Sequence, residues 1–222
     1  MGNDRNKPLE TEDIINSLVE KHRPVPSAWI EWATLGVVIL GSAAAIAAVA
    51  MTIGFRSDLT QAFESGRIVT KYVFLLTVLV LAGHLYMRLS RPGHRLSDEV
   101  VVLALPMLFI WIATIVQLAL YGAPSPALLF GEKANWIICV ILVPVYAVVP
   151  FALLTCVLRK CAPTDLHGAG IATGLLSTAI AATIYAAHCS CDAPVFIAIW
   201  YPIAFTLGGI VGRSIVPRFV HW

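Results

Sequence analysis

A chain of 222 residues with 59 % hydrophobic and only 13 % charged residues, at a mean hydropathy of +0.82, is not built like a water-soluble domain. Such domains carry about 25 % charge. The net charge of +2 is too small to point to nucleic-acid binding. The length suits one compact helical bundle with almost nothing left for a soluble domain.

The chain opens polar. Asp4, Arg5, Lys7, Glu10, Glu12 and Asp13 leave residues 1–27 without the apolar core of a signal peptide. Residues 1–9 read as disordered. Thr11 to about His22 reads as a short helix: Thr11 suits the N-cap, Glu12 and Asp13 the positive end of the helix dipole, and Lys21, His22 and Arg23 the other end. Pro24 and Pro26 stop it. Ile14, Ile15, Leu18 and Val19 form one apolar stripe at helical spacing. A helix this short is marginal alone in water, so the stripe wants a partner.

Six apolar segments follow, over 34–53, 72–87, 100–121, 136–158, 169–187 and 195–216. A bilayer core about 30 Å thick needs about 20 apolar residues per helix, and backbone groups in lipid must be satisfied within the segment. The predicted fold is therefore all-α, a six-helix transmembrane bundle over residues 28–222 behind a cytoplasmic segment over 1–27. Eleven of the 15 Lys and Arg residues fall in the N-terminus, the loops 88–99 and 159–168, and the C-terminal tail. That asymmetry places both termini in the cytoplasm. A small amphipathic piece is expected around Leu59, Ala62 and Phe63, irregular chain over 122–133, and a tight hairpin between spans five and six. Pro106, Pro144, Pro150 and Pro202 are expected to kink their spans. Gly170 and Gly174, and Gly208 and Gly212, stand four apart and point to close helix packing within the chain. Trp29, Trp32, Trp136 and Trp222 read as interface anchors.

Ionisable groups inside the spans are scarce. His84 and Gln117 read as a hydrogen-bonding group and interhelical glue. A proton-coupled transporter would carry central charges, which are missing. No nucleophile elbow, HExxH, P-loop or dinucleotide fingerprint is present, so neither catalysis nor a cofactor is expected. The thiols are the richest polar chemistry. Cys139, Cys189 and Cys191 share one membrane level on the oxidising side, whereas Cys156 and Cys161 lie near the reducing side. A Cys139–Cys189 or a Cys139–Cys191 bridge is possible if spans four and five adjoin. The three readings are a redox or thiol-reactive sensor, a soft-metal site of Cys139, His188, Cys189 and Cys191, and a static bridge or inert thiols.

With TEDIINSL at 11–18, RLSRPGHR at 88–95, YAAHCSCDAPVFIAIWY at 185–201 and GRSIVPRF at 212–219, the chain resembles the NrsF-type membrane anti-sigma factors. The resemblance covers nearly its whole length. It implies an inner-membrane negative regulator whose N-terminal segment holds an extracytoplasmic-function sigma factor away from RNA polymerase. It assigns Ile14, Ile15, Leu18 and Val19 to that contact, as an amphipathic helix laid in a groove. It also implies that Cys139 and Cys189 act together in perceiving a periplasmic signal. Cys156, Cys161 and Cys191 depart from the family pattern, and Cys191 leaves open which sulfur pairs with Cys139. The partners implied are the sigma factor and the lipid bilayer, with no direct nucleic-acid contact; the oligomeric state is open. A small membrane thiol oxidoreductase or transporter is the alternative.

Overall fold

The computed structural model describes residue 16 and residues 27–220, apart from 65, 67 and 131–134. The expected helix over 11–22, with Ile14, Ile15, Leu18 and Val19, lies outside the described residues, as does Trp222. Among the described residues the elements run α1 (Ser27–Thr52), α2 (Leu59–Glu64), α3 (Val69–Leu89), α4 (Leu96–Glu99), α5 (Ala104–Tyr121), α6 (Pro126–Phe130), α7 (Asn135–Tyr146), α8 (Val148–Leu158), α9 (Leu166–Tyr185) and α10 (Pro194–Phe219). Six stretches are long and apolar enough to cross a membrane: α1, α3, α5, the α7–α8 pair, α9 and α10. The all-helical six-span architecture read from the sequence is the one observed.

The prolines act less uniformly than expected. Pro106 sits in the first turn of α5, where an N–H has no partner inside the helix, so it starts the helix instead of bending it. Residues Val100–Leu103 ahead of it wind as a 3-10 turn, which moves the start of span three to Ala104. Pro150 does interrupt span four: it offers no N–H to the Tyr146 carbonyl, and the α-helix breaks at Ala147 between α7 and α8. Pro126 opens α6 within the stretch expected to be irregular, with the Ser125 carbonyl accepting from Leu128 N at 2.9 Å and Leu129 N at 3.2 Å. α10 runs unbroken through Pro202 and Pro217.

α9 is the bundle's axis. It packs against α10, α3, α1, α7 and α8, and 78 % of its most apolar 18-residue stretch is buried, against 17 % for α5. The reason is side-chain size. Gly170 and Gly174 on α9 face Gly212 and Gly208 on α10 so closely that a Cβ on Gly174 would overlap the Gly208 carbonyl, and one on Gly212 the Gly170 carbonyl. Backbone contact at this range gives dispersion and weak C–H···O attraction where lipid offers no hydrophobic drive between helices. The small-residue pairs thus join two spans of one chain. Leu105, Leu108, Trp111, Ile112 and Ile115 on α5 point outward, where lipid would meet them.

Candidate functional site

The site gathers at one end of the bundle, around the hairpin over 186–193 that links α9 to α10. Its form follows from local sequence. His188 N and Cys189 N donate to the Tyr185 carbonyl at 2.9 and 3.1 Å, which winds α9 one step further. Ala193 is then extended (φ −68°, ψ 129°), as the residue before a proline must be, and Pro194 opens α10. The hairpin is stitched to the loop after α1. Arg56 N donates to the Ala187 carbonyl at 3.2 Å, and His188 Nδ1 lies 2.8 Å from the Gly54 carbonyl. A carbonyl can only accept, so Nδ1 carries the proton there.

Four charges complete the tie. Lys71, in the first turn of α3, is fully buried. Its ammonium lies 2.5 Å from Asp192 Oδ1 and donates to the Cys189 carbonyl at 2.7 Å. Arg56 donates to Asp192 Oδ2 at 2.8 Å, to the Cys189 carbonyl at 3.3 Å and to both Asp58 oxygens at 2.7 Å. Two cations thus meet two carboxylates, and the cluster is neutral. The Asp58 contact raises the Arg56 guanidinium further above its usual range, against the opposing effect of burial. The same hydrogen bond holds exposed Asp58 down to about 2, so its charge persists until the pH falls to that level.

The thiols lie just beneath. Cys139 on α7 and Cys189 are buried in one apolar cluster with Tyr185, Phe196 and Ile197, and Cys191 packs against it. Spans four and five do adjoin, through α7 and α8 against α9. None of the five cysteines forms a disulfide in this structure. The hydrogen bond that the Cys189 thiol donates to Cys191, reinforced by burial, pushes Cys189 well above the usual range, with nearby Lys71 opposing. Thiolate, not thiol, is the nucleophile, so Cys189 is held in its unreactive form. Among the described residues no set of three or more His, Cys, Asp or Glu side chains is arranged to hold a metal ion. Cys139, His188, Cys189 and Cys191 are neighbours, but they are not gathered as a ligand shell. Beside the hairpin a cleft of about 1030 Å³ is lined by Gln61, Gln117, Tyr121, Cys191 and Asp192, among others.

Other expected groups have plainer roles. Gln117 Oε1 accepts from Val195 N at 3.3 Å and so joins α5 to the first turn of α10. His84 is exposed on α3. Trp136 stacks on Trp200 at 4.6 Å, with Phe130 beside both. The ion cluster was not expected from the sequence, which placed Lys71 in a loop. Its signal is nonetheless present. Arg56 and Lys71 stand at the end with few basic residues, and Asp192 is an acid at the same level; buried charges of opposite sign call for each other.

Fold and site define a six-span, all-helical membrane protein with a buried thiol and ion-pair cluster at one end of its bundle. The family model described as negative regulator of sigma F matches residues 18–222, and the chain belongs to that family, NrsF. It is 30 % identical over 219 residues to the "Probable anti-sigma-F factor NrsF" of Azospira oryzae, covering 96 % of this chain and 100 % of that protein. It has the same identity and coverage with the "Anti-sigma-F factor NrsF" of Caulobacter vibrioides. No solved structure matches it.

Proposed function

We propose that this chain is a membrane-bound anti-sigma factor that sequesters an extracytoplasmic-function sigma factor and releases it on a periplasmic signal. The observation that carries the reading is the family match over residues 18–222, which spans all six membrane helices. Both termini lie in the cytoplasm of a bacterial inner membrane, as the Lys and Arg distribution favours. Residues 1–27 hold the sigma factor through Ile14, Ile15, Leu18 and Val19. A helix-in-groove contact of this kind gives up part of its binding energy to ordering and stays releasable. Cys139 and Cys189 receive the signal, either by oxidation or by a soft metal. Their burial in one cluster supports a shared role, because any change in one sulfur repacks the other's neighbours. The alternative is a small membrane thiol oxidoreductase, in which Cys139 and Cys189 would exchange with a substrate disulfide instead of reporting a signal.

The test is transcription from a promoter read by the sigma factor, in cells expressing the chain with Cys139→Ser and Cys189→Ser. Basal repression should stay and the response to thiol reagents should vanish. Loss of a thiol-exchange activity with the promoter indifferent to the chain would overturn the reading in favour of an enzyme.

A further inference from the structure

We propose that Lys71 and Asp192 form an ionic latch that keeps the hairpin of residues 186–193 closed over Cys189 and so governs access to its sulfur. The proposal concerns the bundle alone and does not depend on what the chain regulates. Both polar contacts of Lys71 among the described residues lie on the hairpin, one on Asp192 and one on the Cys189 carbonyl. Arg56 is placed differently: if Asp192 were withdrawn it would keep Asp58 as a counter-charge, and it would stay near the surface. Lys71 has no such reserve and no exposure. With Asp192 neutralised, its ammonium would remain in the apolar core or pull the end of α3 away from the hairpin.

The position of Cys189 gives the latch its consequence. The residue is 3 % exposed, and its own carbonyl is the second acceptor of Lys71. The backbone atom that the latch grips and the sulfur that it hides therefore belong to one residue. Cys191, two positions on, lines the wide cleft and is partly exposed. A smaller recess of about 290 Å³, walled by His188, Tyr185 and Asp58, reaches Cys189 and would be the way in once the hairpin lifts. The remaining ties of the hairpin, Arg56 N to Ala187, the Arg56 side chain to Asp192 and the Cys189 carbonyl, and His188 to Gly54, all come from the loop after α1 rather than from a membrane-spanning helix. The Lys71 contacts are what fix it to α3.

The experiment is N-ethylmaleimide labelling of the full chain in native membranes, with the rate at each cysteine read by mass spectrometry. In the unaltered chain Cys191 should label faster than Cys189. Asp192→Asn should raise the Cys189 rate by at least about tenfold, since local opening exposes what the closed state buries. Cys161, buried and outside this cluster, should keep its rate. Replacing the pair together, with Lys71→Met and Asp192→Leu, should return Cys189 to slow labelling, because an apolar pair can hold the hairpin without a stranded charge. An unchanged Cys189 rate in Asp192→Asn would overturn the proposal. So would a parallel rise at Cys161, which would mean that the pair holds the whole bundle together and is no latch.

Discussion

Asp192→Leu alone is expected to lower stability by about 3–5 kcal/mol, the usual consequence of leaving one buried charge without its partner. The magnitude follows from where Lys71 sits. Its side chain has no solvent exposure, and its hydrogen bond to the Cys189 carbonyl cannot neutralise an ammonium. Arg56 does not compensate, because it brings a second positive charge to the same place. The pair itself contributes far less than its rupture costs, since desolvation of two ions cancels most of their attraction. Lys71→Met with Asp192→Leu should therefore recover most of the loss. The measurement is the thermal unfolding midpoint of the detergent-purified chain for the single and double variants. Equal midpoints for the two would mean that the charges are hydrated and that the buried cluster is not what holds this end of the bundle.

Ile15→Asp together with Leu18→Asp is expected to weaken capture of the sigma factor by at least about a hundredfold. Each apolar side chain of that size contributes about 1.5–3 kcal/mol when fully buried, and a carboxylate in its place adds a desolvation cost. Even the lower figure, taken twice, amounts to about a hundredfold at 1.4 kcal/mol per decade. Asp13, Glu20 and Lys21 would lie on the rim of such a contact and tune the choice of partner. The dissociation constant of the sigma factor for the full chain in nanodiscs, with and without the two substitutions, checks this. An unchanged constant would move the contact away from the stripe.

The spans were legible because hydropathy depends on composition alone, and lipid leaves a helix no alternative. The pairing of Gly170 and Gly174 with Gly208 and Gly212 was legible too, since small residues at helical spacing are what close approach requires. The effects of proline were read less well. Pro106 and Pro150 look alike in sequence, yet one starts a helix and the other breaks a span, and the difference lies in how many turns precede each. The level of Cys139, Cys189 and Cys191 followed from counting residues along two spans. Their common burial did not, because it depends on which helices neighbour each other. The ion cluster was hidden for the same reason. Asp192 is far in sequence from Arg56 and Lys71, and a charge at the edge of a span reads as exposed until a partner is seen across it.

The most direct test of the regulatory account is co-sedimentation. Membranes from cells expressing the full chain should carry the sigma factor into the pellet, and membranes lacking the chain should leave it in the supernatant. A sigma factor that stays in the supernatant while the chain is present and folded in the pellet would contradict the account.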